Sequence, residues 1–131
     1  MSRPSTQYRL LPGAPSIHTV PLPELVVGKG EVRIGLDDAD ETRVTFVFTP
    51  YQAVRVTTLD AFPTPPESGL RPGGVFMVEE SEWIEELRSV LALKDSTATF
   101  LDRARHYVIP SGDDIVEVVA WDVTWAAPEP P

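Results

Sequence analysis

The chain has 131 residues, of which 11 are Lys or Arg and 20 are Asp or Glu, giving a formal net charge of −9. This length fits one domain over 1–131, and an acidic surface repels phosphate backbones, so we expect no nucleic-acid binding. The absence of cysteine excludes a disulfide scaffold, a thiolate zinc site and a cysteine nucleophile.

The sequence contains no apolar run near the ~20 residues that span a bilayer. Its first 16 residues are broken by proline and lack the apolar core of a signal peptide. We therefore expect a cytoplasmic protein without membrane contact.

Proline is abundant, with 14 residues, and it is clustered. Because proline fixes φ and removes a hydrogen-bond donor, the clusters indicate irregular structure. They predict a Pro-rich irregular N-terminal segment over 1–25, a loop over 60–74 and a flexible tail over 126–131.

The first ordered region has a period of two, which is typical of half-buried strands. Residues 31–36 (EVRIGL) and 43–49 (RVTFVFT) alternate in this way around a polar turn and predict an antiparallel hairpin. Pro50 interrupts the pattern before residues 53–59 (AVRVTTL) alternate again, which predicts a second hairpin. Residues 75–78 (VFMV) predict a short strand.

A helix is predicted over about 82–94, because its apolar residues follow the 3.6-residue period. Ser81 suits the N-cap position, and acidic residues in the first turns favour the helix dipole. Ser96 is a candidate N-cap for a second short helix through Ala104.

Two antiparallel strands are predicted at the end of the chain, at 105–110 and 115–125, around the turn SGDD. The alternation places Ile115, Val119, Trp121, Val123 and Trp125 on one face. The whole pattern predicts an α+β fold. It has a mostly antiparallel curved sheet of about 5–7 strands, with the main helix and the candidate second helix packed on one face.

Two groups of acidic residues are candidates for binding a basic protein partner. One lies in the turn DDADE and the other at the start of the helix, and the residues are Asp37, Asp38, Asp40, Glu82, Glu85 and Glu86. Turn chemistry and the helix dipole also explain acids at these positions.

A candidate pocket lies on the last hairpin, where His106, Asp113, Asp114 and Glu117 suggest an acid–base cluster. The aspartates also suit the turn. Glu117 is flanked by valines, so burying it unpaired is costly, and Arg55, Arg103 or Arg105 are candidate partners. We identify no catalytic residue, metal site or cofactor motif.

Three stretches together resemble a loose class of small bacterial α+β proteins: AVRVT, SEWIEEL and RHYVIPSGDDIVEVVAW. The resemblance covers about the last 80 residues and rests on structural motifs. Some members of the class look like immunity proteins that neutralise a toxin domain. The resemblance therefore implies an α+β fold and protein binding, and it carries over no catalytic residue.

The leading hypothesis is a non-enzymatic, single-domain binding protein whose six candidate acids occlude a basic partner in the manner of an immunity protein. A small enzyme or ligand binder at the last hairpin is the alternative; a pocket that holds His106 with Glu117 favours it, and an arginine partner for Glu117 opposes it. A third hypothesis is that the protein, otherwise a monomer, forms a homodimer through a sheet edge.

Overall fold

The computed structural model describes residues 6–18, 23–63 and 68–127. These residues form seven strands, one α-helix and two 3-10 turns, at Leu59–Ala61 and Phe100–Arg103. In chain order the elements are β1 (Gln7–Leu10), β2 (Glu24–Gly28), β3 (Glu31–Asp37), β4 (Arg43–Thr58), β5 (Phe76–Glu79), α1 (Glu82–Lys94), β6 (Arg105–Ser111) and β7 (Asp114–Ala126).

The seven strands form one sheet in the order β1-β5-β6-β7-β4-β3-β2. Every neighbouring pair is antiparallel, and β1 and β2 are the two edges, so the sheet is not closed. The predicted α+β fold with a mostly antiparallel sheet and a main helix is confirmed. Among the residues described, no helix is long and apolar enough to cross a membrane.

The Pro-rich N-terminal segment contains regular structure that its composition does not indicate. Within 1–25, residues Gln7–Leu10 form β1, which pairs with β5, and Glu24 begins β2. Residues 1–5 and 19–22 of this segment lie outside the described ranges, as do 64–67 of the predicted loop and 128–131 of the predicted tail.

The predicted second hairpin is wrong, because β4 continues through Pro50 as one strand of 16 residues. A central strand tolerates proline where no ladder bond is needed. In the pairing of β4 with β7, the register shifts between Tyr51 and Ala53, and Pro50 has no cross-strand partner among the described residues. The missing N–H of Pro50 therefore removes no ladder bond.

The second short helix is not confirmed, since the region 96–104 holds only the 3-10 turn at Phe100–Arg103. Asp95 accounts for the difference. Its carboxylate accepts hydrogen bonds from the N–H of Thr97 (3.0 Å) and the hydroxyl of Thr97 (2.7 Å). This local turn competes with helix formation, and β-branched Thr97 and Thr99 disfavour a helix as well.

The two faces of the sheet have separate cores. The larger is formed by buried residues of β3, β4, β6 and β7, with Phe48 against Tyr107 at 5.2 Å between ring centroids. On the other face α1 packs through Ile84 on Val119 of β7. Val123 and Trp125, predicted to share the face of Val119, pack instead against the larger core. Ala120 belongs to the same core, so β7 changes face between Ala120 and Val123.

Candidate functional site

Three neighbouring strands bring an arginine, a glutamate and a histidine to the helix-covered face. On β4, Arg55 lies directly opposite Glu117 of β7. On β6, His106 lies opposite Val119, so Glu117 is its diagonal neighbour two residues along β7. Side chains at such positions on one face are within reach of each other. The strand register therefore places Arg55 and His106 on either side of Glu117.

Glu117 is enclosed by these two partners and is only 2% exposed. Its Oε2 accepts a hydrogen bond from Arg55 Nε at 2.5 Å, and its Oε1 accepts one from Arg55 Nη2 at 3.1 Å. Oε1 also lies 2.8 Å from His106 Nε2. Of the three arginines that were candidate partners, the structure selects Arg55, and the ion pair is bidentate.

Ser81 extends the network to the helix. Its Oγ lies 2.7 Å from His106 Nδ1 and accepts the N–H of Ile84 at 3.2 Å, which confirms Ser81 as the N-cap of α1. In neutral His106, Nε2–H donates to Glu117 and Nδ1 accepts the Ser81 hydroxyl proton. In the imidazolium form, Nδ1–H donates to Oγ, whose remaining lone pair still serves Ile84. The network thus satisfies His106 in both protonation states.

The partners of Glu117 hold it in its ionised form. Burial favours protonation of Glu117, but hydrogen bonds and charge from His106 and Arg55 outweigh this effect, so the pKa of Glu117 lies below its ordinary value of 4.5. A buried carboxylate is therefore charged at neutral pH. Its cost is offset by Arg55, whose side chain is 46% exposed and reaches solvent.

The network opens into a cleft of about 410 Å³, which we call the Arg55 cleft. The guanidinium of Arg55 lies over the ring of Trp83 at 3.9 Å, and Trp83 meets His106 edge-on with ring centroids 5.2 Å apart. The cleft is lined by Thr6, Tyr8, Arg55, Thr57, Ala61, Phe62, Pro63, Val78, Glu82, Trp83, Glu86, His106 and Glu117. It therefore combines aromatic walls with ionised groups.

Tyr8 lines the same cleft, and its surroundings shift the pKa of its phenol. Burial, with a further contribution from the negative charge of Glu117, raises the pKa of Tyr8 to about 12, although Arg55 acts in the opposite direction. The phenol is therefore a neutral hydrogen-bonding group in the Arg55 cleft at any physiological pH.

A second cleft of about 350 Å³ lies on the other side of His106. His106 and Ser81 both line it, together with Arg9, Arg88 and Arg105. Ser81, His106 and Glu117 thus form a Ser–His–carboxylate chain, the order of groups found in hydrolytic triads. However, Ser81 is only 8% exposed and its Oγ already caps α1, so these contacts favour a role in positioning His106.

The structure separates the four residues of the predicted pocket into two pairs. His106 and Glu117 meet, whereas Asp113 and Asp114 lie at the β6–β7 turn and do not line the Arg55 cleft. Asp114 is three residues from Glu117, or ~10 Å along an extended strand. The structure therefore does not bring the two aspartates to the His106–Glu117 pair, and they follow the geometry of the turn.

The six candidate acids also occupy two separate places. Asp37 pairs with Arg43 at 3.6 Å, and Asp38 Oδ1 accepts the backbone N–H groups of Asp40 and Thr42 at 2.9 Å each, so this group stabilises the β3–β4 turn. On α1, Glu85 pairs with Arg88 at 3.0 Å. The remaining two acids, Glu82 and Glu86, line the Arg55 cleft.

Three residues that contribute to the site were not predicted from the sequence to be site residues. Ser81 was assigned only as a helix cap, Trp83 was one of the periodic apolar residues of the predicted helix, and Tyr8 lies in a segment predicted to be irregular. A signal existed for Ser81, because an N-cap serine before a helix packed on β6 is close to that strand. Among the described residues, no group of three or more His, Cys, Asp or Glu could hold a metal ion.

Comparison with known proteins adds no information about this site. The chain matches no protein-family model, no curated protein and no solved structure.

Proposed function

We propose that the protein is a non-enzymatic binding protein that receives a basic side chain of a protein partner in the Arg55 cleft. The observation that carries the proposal is the position of Glu86. It is exposed on α1, lines the cleft beside Trp83, and makes no hydrogen bond or ion pair with another described residue. Its carboxylate is a suitable counter-charge for a lysine or arginine.

The charges of the cleft favour a cation over an anion. Glu117 neutralises Arg55 through two hydrogen bonds, so the guanidinium offers little net attraction to an anion. Glu86 adds a carboxylate to the cleft that no other described residue neutralises, so a cation beside it is favoured. The net charge of −9 speeds the approach of such a cation.

The walls of the cleft suit the rest of a basic side chain. Tyr8, Phe62 and Trp83 supply aromatic surface, on which the methylene groups of lysine or the plane of an arginine pack. The proposal narrows the predicted occlusion by six acids to Glu86, because Asp37 and Asp38 are engaged within the β3–β4 turn and Glu85 pairs with Arg88.

The test is an NMR titration of the labelled protein with Nα-acetyl-lysine amide and Nα-acetyl-arginine amide. We expect saturable shifts of the Trp83 indole N–H and of the amides of Tyr8 and Glu86. Nα-acetyl-norleucine amide, which has no charge, should give no saturable shift. If no probe saturates, or if the neutral one binds equally well, the proposal fails.

A pair of variants separates local charge from net charge. Glu86→Gln and Asp40→Asn remove the same charge from two exposed positions, one in the cleft and one in the β3–β4 turn. We expect Glu86→Gln to weaken binding of the basic probes about tenfold, near 1.4 kcal/mol, and Asp40→Asn to leave it unchanged. Equal effects of the two variants would mean that only net charge matters.

A second candidate function is catalysis on a small molecule, and the continuous Ser81–His106–Glu117 chain between two clefts favours it. An activated acyl ester such as p-nitrophenyl acetate is a direct probe. Turnover by the wild-type protein that is lost in both Ser81→Ala and His106→Gln would support acyl transfer. Turnover equal to that of the two variants would assign the chain a structural role.

A further inference from the structure

The edge strand β2 exposes an apolar sequence, Leu25, Val26 and Val27, whose residues are 36%, 60% and 44% exposed. Among the described residues, β2 pairs only with β3. The opposite edge differs, since β1 has four residues and carries Arg9, which faces Glu79 at 3.7 Å. Proteins protect sheet edges with charges, among other features. Strand β1 has such a charge in Arg9, whereas β2, only one residue longer, has none between Glu24 and Lys29.

The hairpin of β2 and β3 fixes which groups of β2 point outwards. Lys29 and Gly30 form its two-residue turn with φ of 54° and 77°, the values of a type I′ turn. Gly28 and Glu31, which flank the turn, are therefore a hydrogen-bonded pair, and the pairs alternate from there. Leu25 and Val27 consequently direct their N–H and C=O groups away from β3, towards the free edge.

We propose that a second copy of the chain pairs with this edge, β2 against β2, antiparallel about a two-fold axis at Val26. This axis places Leu25 opposite Val27 of the second copy, and both residues have outward-pointing groups. Two such pairs supply four backbone hydrogen bonds. A shift by one residue would set an outward-pointing residue against an inward-pointing one, so the parity of the hairpin excludes that register.

The side chains fit the same arrangement. Leu25 and Val27 lie on the face of their partners Ile34 and Val32, which belong to the larger core. Pairing of the two copies joins their Leu25 and Val27 residues into one apolar cluster that continues both cores. It also places Glu24, which lies 3.5 Å from Arg43 of its own chain, opposite Gly28 of the second copy and next to that copy's Lys29.

The dimer leaves the Arg55 cleft accessible, so the inference is independent of the proposed function. The strands that line the cleft are β1, β4, β5, β6 and β7, and β3 separates all of them from β2. A closed two-fold dimer also removes both β2 edges at once, and the assembly does not extend into a fibre.

The test is the mass of the full chain in solution by analytical ultracentrifugation, from about 10 μM to 1 mM. We expect the mass to rise to twice that of one chain. Val26→Lys places two ammonium groups opposite each other at the axis and should keep the protein monomeric. Leu93→Lys makes the same change at the most exposed apolar residue of α1, 89% exposed, and should dimerise like the wild type.

A second variant and a second readout keep the test decisive. Val27→Pro removes only an outward-pointing N–H, so it blocks the edge without removing a bond to β3. In the wild-type dimer the amides of Leu25 and Val27 should exchange at least tenfold more slowly than in Val26→Lys, whereas the Val26 amide, bonded to Arg33, should change far less. A wild-type monomer at every concentration overturns the proposal and leaves the edge to a different chain. A dimer that survives both variants overturns it as well.

Discussion

His106 and Glu117 are diagonal neighbours across β6 and β7, and their side chains meet at 2.8 Å between Nε2 and Oε1. Both side chains are at least nine-tenths buried. Glu117 also binds Arg55, which reaches solvent, and His106 also contacts Ser81 at the start of α1. The polar groups of one strand pair thereby connect the orientation of α1 to the floor of the Arg55 cleft.

Replacing Glu117 by Gln should destabilise the protein by about 2–3 kcal/mol, because the charge-assisted bonds to Arg55 and His106 weaken together. Urea unfolding at pH 7 measures the change in free energy. Asp113→Asn removes a carboxylate from the exposed turn of the same hairpin and should stay within about 0.5 kcal/mol of the wild type. Equal stability of the two variants would show that the network contributes nothing.

The acid limb of the stability curve should depend on Glu117. Its pKa in the folded state is below the ordinary value of 4.5, so the unfolded chain binds the proton first as the pH falls. The stabilisation is therefore complete above pH 4.5 and is lost as the pH falls towards the folded pKa. Unfolding free energies between pH 7 and 3 should fall less steeply in Glu117→Gln than in the wild type. Parallel curves would contradict the assigned direction.

Replacing Ser81 by Ala should cost roughly 2 kcal/mol, since it removes the cap of α1 and leaves Nδ1 of buried His106 without its partner. Thermal and urea unfolding report the loss. The matched control is Ser89→Ala on the exposed side of α1. There the Oγ–H only donates a hydrogen bond to the backbone carbonyl of Glu85 at 3.0 Å. We expect little change there, and a Ser81→Ala protein as stable as this control would exclude the proposed link between helix and sheet.

Tyr8 should govern part of the alkaline limb. The folded protein retains its phenol proton to about pH 12, whereas the unfolded chain releases it near pH 10, so stability contributed by Tyr8 is lost as the pH rises from 10 to 12. Tyr8→Phe should therefore lose less stability over this interval than the wild type. An equal slope of Tyr8→Phe and the wild type between pH 10 and 12 would contradict the assigned direction.

The parts of the fold that were predictable are those governed by local chemistry. The spacing of apolar residues gives α1, Ser81 gives its start, and the Ser-Gly-Asp-Asp turn gives the β6–β7 hairpin. Pro50 misled the prediction because its position relative to the ends of other strands decides whether its missing donor matters. That position is a property of the assembled sheet. Strand β1 was not predicted for the same reason, since the sequence of residues 7–10 alone does not indicate that they pair with β5.

The site was half predictable. Valines around Glu117 indicated that the acid needs a partner, and Arg55 was among the three candidates. The choice among them depends on register, because Arg55 lies opposite Glu117 in the pairing of β4 with β7. Asp113 and Asp114 are close to His106 along the chain. However, an extended strand rises by ~3.3 Å per residue, so residues a few positions apart in sequence lie far apart in space.

The length of β4 also determines how the molecule comes apart. Its first half contributes Phe46 and Phe48 to the larger core, and its second half contributes Ala53 to the cluster under α1 and Arg55 to the cleft. The two halves pair with the same strand, β7, so neither core can unfold unless the β4–β7 strand pair separates. Unfolding should therefore be a single cooperative event. The amides of β4 and β7 should be the last to exchange with solvent, and only when the whole chain opens.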